Sequence, residues 1–173
     1  LGLLICIGSM GKPAYLKAVL RLLIWFIRGT PLMLQLLIIY YGPGIFFGVN
    51  VWGTGGNGRF LAALIAFVIN YACYFSEIYR GGIQSIPVGQ YEAAKVLGLT
   101  KWQTFKDVIL LQLIKRIVPP ISNEVITLVK DTSLAFALAY NEMFALAKQI
   151  AASQTSFTPY IVAGVFYFIM NYV

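Results

Sequence analysis

The sequence predicts an all-α membrane protein with about five spanning helices, and three observations carry that expectation. Mean hydropathy is +0.79 and only 11% of residues are charged, against about a quarter in soluble domains. The apolar residues fall into separate blocks, each near the 20 or so residues that cross a bilayer. The cations gather on alternate connections between the blocks, which is how a polytopic chain sets its orientation.

Taken in order, the first block, LGLLICIGS, is about half a span. A second helix is expected from Leu16 to Tyr41, with Gly29-Thr30-Pro31 as a break along it. The third runs from Phe60 to Tyr79, the fourth starts near Ile117 and the fifth near Phe157. The last block, SFTPYIVAGVFYFIMNYV, stops without a polar tail, so the chain reads as a subunit lacking part of its first helix and its C-terminal end. No charged leader or small-residue cleavage site suggests a signal peptide. Cys6 and Cys73 fall inside apolar blocks and read as small core residues; neither a disulfide nor a metal site is expected.

Sidedness follows from charge. Met10 to Arg28 carries Lys12, Lys17, Arg21 and Arg28 and no acid, and Arg80 to Arg116 carries six cations against Glu92 and Asp107. Both segments are expected at the cytoplasmic face. The stretch PGIFFGVNVWGTGGNG, from Pro43 to Gly58, is uncharged and rich in turn residues, which suits an outer connection. This pattern accounts for the basic pI near 9.5, and nucleic-acid binding is not expected.

Between the third and fourth helices lies a segment, about 81–112, too polar for lipid. Within it YEAAKVLGLTKWQTF, from Tyr91 to Phe105, predicts two short helices. Gly98 suits a left-handed end to the first. Thr100 and Gln103 form a capping-box pattern for the second. Trp102, Phe105, Ile109 and Leu113 then recur as one apolar stripe. Periodicity alone leaves two readings open: a surface that docks another protein, or a re-entrant hairpin capping its own bundle.

Glu92-Ala93-Ala94, then Gly98, then Val108-Ile109-Leu110 resemble the EAA loop of ATP-binding-cassette importer permeases. The pattern there is EAA, three residues, Gly, nine residues, I-x-L-P. Here Val108 stands for Ile and Leu111 for Pro, so the second short helix is expected to run straighter into Gln112. Arg28-Gly29-Thr30-Pro31-Leu32 with Gln35 and Tyr40-Tyr41-Gly42, Glu77 to Ile83, Pro119-Pro120 with Asn123-Glu124, and Lys130 to Leu134 are similar to the polar amino-acid branch. The resemblance implies a type I fold of the methionine-importer kind, in a bacterial cytoplasmic membrane. It implies a pair of permease subunits, identical or homologous, two cytoplasmic ATP-binding subunits and an extracytoplasmic binding protein. It makes Glu92, Ala93, Ala94 and Gly98 residues that couple to the ATPase, and the apolar stripe adds Trp102 and Phe105 to them as the anchor to be buried.

Polar groups at membrane depth mark a path or an interhelical bond, because lipid offers them no partner. Asn123, Thr127 and Asp131 share one helix face, and Asn70, Tyr74 and Glu77 share another. With Gln35 and without Glu77 these are the candidate path residues; interhelical hydrogen bonding is the simpler account of Asn70, Asn123 and Thr127. Asp131 would suit a substrate ammonium. Glu77, Arg80 and Arg28 sit near helix ends, where long side chains reach water, and read as structural.

Catalysis within the chain is not expected. The sequence has no histidine and no G-x-x-x-x-G-K-[ST] loop, and Gly53 to Gly58 lacks the lysine such a loop needs. No cofactor is implied, and the energy must come from a partner chain or an ion gradient. The second function class is therefore a secondary transporter or small channel; inverted repeats, which would favour it, are not visible.

Overall fold

The computed structural model describes residues 1–11, 13–53 and 55–172; Lys12, part of the first basic cluster, Thr54, inside the glycine-rich turn, and Val173 lie outside the described residues. Among the described residues every regular element is helical. In chain order these are α1 (Gly2–Met10), α2 (Ala14–Gly29), α3 (Leu32–Phe47), α4 (Gly56–Gln84), α5 (Val88–Val96) and α6 (Lys101–Gln103). A π-helical turn (Thr104–Ile109) leads into α7 (Leu110–Asp131), a 3₁₀ helix (Thr132–Leu138) follows, and α8 (Met143–Gln154) and α9 (Thr158–Tyr172) complete the chain.

Several elements depart from the sequence expectation. The stretch from Leu16 to Tyr41 is two helices, α2 and α3, because Pro31 has no N–H and disfavours helical backbone at Thr30. The third expected helix, Phe60 to Tyr79, grows at both ends into α4. Among the described residues α4 is the one unbroken helix long and apolar enough to cross a membrane; α2 with α3 makes a broken second candidate. The fourth does not begin at Ile117. It is continuous from α6 through the π turn, and Leu111 supplies the N–H that a proline there would lack. The 3₁₀ helix and α8 were not anticipated.

The chain divides into two compact units, Leu1–Phe26 with Tyr71–Glu124, and Ile27–Asn70 with Val125–Val173. In the first, Cys6, Ser9, Tyr71, Ala72, Cys73 and Ser76 are buried, and neither cysteine is in a disulfide. Ser9 and Ser76 each donate to the carbonyl three residues back, at 2.8 and 2.7 Å, and so bury no unpaired hydroxyl. In the second unit the core is Leu36, Ala62, Ala63, Ala66 and Leu138, from α3, α4 and the 3₁₀ helix. Alanine lets backbones approach closely, which is how helices associate where there is no water to expel. Trp52 donates its indole N–H to the Ile39 carbonyl at 2.9 Å, and Arg59 Nη1 reaches the Ala139 carbonyl at 3.0 Å, where the 3₁₀ helix ends with φ of 52°.

In the first unit α4 and α7 meet at Gly82. A Cβ built there would lie 2.4 Å from Ile117 Cγ2 and 3.0 Å from Leu113 Cδ1, whereas one at Gly81 would meet nothing within 4 Å. Gly82→Val is therefore expected to lower stability by about 1–3 kcal/mol through overpacking, and Gly81→Ala to leave it unchanged. Thermal unfolding of the purified protein in detergent checks this, with partial rescue expected on adding Ile117→Ala.

Candidate functional site

The hairpin of α5 and α6 is built from its ends. α5 closes on Gly98 at φ of 72°, with Leu99 N–H donating to the Ala94 carbonyl and Gly98 N–H to the Lys95 carbonyl, each at 3.0 Å. This is the Schellman pattern that Gly98 allows without steric cost. α6 opens on Thr100, whose hydroxyl accepts from the Gln103 N–H at 3.3 Å while Gln103 Oε1 accepts from the Thr100 N–H at 2.9 Å. Gln112 on α7 donates to Gln90 on α5 at 3.0 Å, and α5 packs against the π turn.

Burial then sorts the motif. Ala94 and Ile109 are buried at 2% and 3% exposure, whereas Glu92 and Ala93 are exposed. Within this chain Trp102 is 68% exposed and Phe105 42%. The π turn explains the split. Its hydrogen bonds run five residues back instead of four, which adds a residue to the turn and rotates Ile109 off the face that carries Trp102. The two rings keep company at 6.0 Å, and Val96 and Leu97 are exposed beside them in sequence at 88% and 76%.

Of the six candidate path residues, Gln35 and Asn70 are joined by a direct hydrogen bond. Gln35 and Asn70 are both buried, and Asn70 Nδ2 donates to Gln35 Oε1 at 2.9 Å. Gln35 Nε2 in turn donates to the Ile27 carbonyl at 2.7 Å, the Thr30 carbonyl at 3.1 Å and Thr30 Oγ1 at 2.8 Å. These are the groups left over where α2 stops and α3 begins. Tyr74 lies one turn beyond Asn70 on α4, half-buried, its ring 6.3 Å from that of Tyr71. Along α7, Asn123 is exposed and Thr127 and Asp131 are half-buried. Asp131 is the last residue of α7, not a mid-helix one. The switch to 3₁₀ follows from Thr132 and Ser133, whose hydroxyls fold back onto the Val129 and Lys130 carbonyls at 2.7 Å each. Glu77 and Arg80 form a bidentate pair, with Arg80 Nη1 also donating to Gln84 at 2.9 Å.

Sequence reasoning missed Glu142. Its carboxylate caps α8, accepting from Phe144 and Ala145 N–H at 2.7 and 2.6 Å, and takes a further hydrogen bond from Tyr167 at 3.2 Å. Glutamate is outside the usual capping set, so no local signal announced the helix start.

The sequence profile described as "Binding-protein-dependent transport system inner membrane component" matches residues 1–173. The chain belongs to that family. Among relatives of this permease family, the nopaline transport system permease protein NocM of Agrobacterium fabrum is 38% identical over 87% of this chain and 64% of its own. The L-cystine transport system permease protein TcyB of Bacillus subtilis is 41% identical over 88% of this chain and 62% of its own. The chain thus spans somewhat under two thirds of these relatives. A solved structure titled "Crystal structure of an amino acid ABC transporter with histidines" superposes with a TM-score of 0.84 at 36% identity, covering 98% of this chain and 77% of that one.

The Gln35 cluster generates a stability test. Gln35→Leu strands the Asn70 amide and leaves the Ile27 carbonyl with the Thr30 hydroxyl at 3.3 Å, and is expected to cost about 1–3 kcal/mol. Asn70→Leu alone should cost less, and the double variant less than the sum of the two. Thermal unfolding in detergent, read as a double-mutant cycle, measures this coupling.

Proposed function

We propose that this permease is a multi-pass subunit of an ATP-driven importer of a polar amino acid, and that the 81–112 hairpin is the cytoplasmic surface on which its ATPase closes. The observation that carries the reading is the exposure of Val96, Leu97, Trp102 and Phe105 on a segment too charged to lie in lipid. Such a patch is left exposed where another protein covers it. Glu92 and Ala93 extend it, while Ala94 and Ile109 hold the hairpin to its own chain. A cytoplasmic ATP-binding subunit is the partner that family membership supports, one to each of two paired permeases, with an extracytoplasmic binding protein delivering the substrate. The amino-acid transport named for the relatives supports the same substrate class and does not favour a secondary transporter or channel.

In this reading Gln35 and Asn70 hold the broken helix that borders the path, and Asp131, with Thr127, Asn123 and Tyr74, contributes polar groups to it. An amino-acid ammonium requires an acidic or carbonyl partner once stripped of water, and Asp131 supplies a half-buried carboxylate at a helix end.

Two outcomes test this. Gly98→Val places a β-branched residue at φ of 72°, which distorts the joint between α5 and α6. Labelled amino-acid uptake should fall at least tenfold while the protein still inserts and still copurifies with an ATPase; unchanged uptake, or wild-type protein that copurifies with no ATPase, defeats the coupling role. Asp131→Asn should weaken substrate stimulation of ATP hydrolysis about tenfold and leave basal hydrolysis and assembly intact. If assembly collapses instead, Asp131 is a structural residue.

A further inference from the structure

A cleft of about 540 Å³ in the first unit, between the end of α4 and the first turns of α7, has no part in the function proposed above. One wall is nearly bare backbone, from Gly81 to Ser85, and the other carries Lys115, Arg116 and Pro119-Pro120. Gly81 leaves open space where a side chain would begin. Arg116 is held in place by donating from Nη1 to the Ser85 carbonyl, which uses one of its five N–H groups. Lys115 is exposed and has no acidic partner among the described residues. The opposing charge is Glu77, at the cleft's edge, and Arg80 already binds it at both oxygens. The carbonyls of Lys115 and Arg116, which the two prolines leave without helical donors, carry only partial charge. With Glu77 offset by Arg80 from outside the cleft, Lys115 and Arg116 are the two positive charges on its wall.

Position gives this charge a use. Lys115 and Arg116 stand where the polar segment ends and the apolar block at Ile117 begins, the depth at which phosphates of a bilayer lie. A basic cleft between helices at the cytoplasmic face is suited to a phosphate headgroup, and arginine's fork matches a phosphate's oxygens. We propose that Lys115 and Arg116 bind a phosphate-bearing anion in this cleft, an anionic lipid headgroup or phosphate from solution. The inference rests on the cytoplasmic placement of 81–112.

The test uses the purified permease complex in nanodiscs of phosphatidylcholine with and without phosphatidylglycerol. Fluorescent phosphatidylglycerol should bind, and Lys115→Gln and Arg116→Gln should each weaken it about fivefold. Lys106→Gln removes the same charge from an exposed position outside the cleft and should leave phosphatidylglycerol binding unchanged. Inorganic phosphate titrated against the bound lipid separates the sources: displacement with the same Lys115 dependence assigns the site to soluble phosphate, and no displacement assigns it to lipid. Equal binding by wild type and Lys115→Gln, or an equal loss in Lys106→Gln, overturns the proposal. Should Arg116→Gln misfold, Lys115→Gln decides alone. Sidedness is read separately, by labelling Gln103→Cys with an impermeant thiol reagent in inverted and right-side-out vesicles. Labelling from the outside overturns the topology whatever the lipid result.

Discussion

The constraint on which the second unit depends is the need to satisfy backbone carbonyls where a helix stops among apolar residues. Between α2 and α3 the ladder of intrahelical hydrogen bonds is interrupted, and in a bilayer no water would replace it. The Gln35 amide answers with one nitrogen shared between the Ile27 and Thr30 carbonyls and the Thr30 hydroxyl, and one oxygen given to Asn70. The chain break on one side and α4 on the other are thereby tied to a single side chain. The alanine core on the neighbouring turns of α4, Ala62, Ala63 and Ala66, requires that α3 lie close, and the amide pair sets that approach.

The same accounting recurs at the other irregular points. Glu142 closes the start of α8, Arg59 reaches the carbonyl of Ala139 just past the 3₁₀ helix, and Thr132 and Ser133 bond to carbonyls where α7 tightens. Each of these departures from regular helix has a polar side chain assigned to it. Where the prolines at 119 and 120 remove donors, by contrast, the helix continues, and a cleft with two exposed cations lies alongside.

How much of this was legible in the sequence depended on the range of the signal. Gly98 and the Thr100–Gln103 pair were readable because their effects act within three residues, and the structure has both. The helical character of the blocks was readable from composition. The π turn was not, since no residue type or spacing marks it, and the exposure of Trp102 beside a buried Ile109 was unreadable with it. The break at Gly29-Thr30-Pro31 was readable from the proline; that it separates two helices was not, because apolar content runs on across it. The Gln35–Asn70 bond joins residues 35 apart in sequence, and a polar stripe predicts that such residues find partners without naming them.

The hairpin of α5 and α6 has a consequence beyond its shape. The joint between its two helices is closed by its own backbone at Gly98 and Leu99 and by Thr100 and Gln103, so the joint is ordered without a partner. A surface already ordered before contact loses little conformational entropy on binding, so more of the free energy of burying Trp102, Leu97 and Val96 remains as affinity. Rigidity also means that a push on one helix arrives at the next undiminished: a flexible tether of the same composition would bind and fail to transmit.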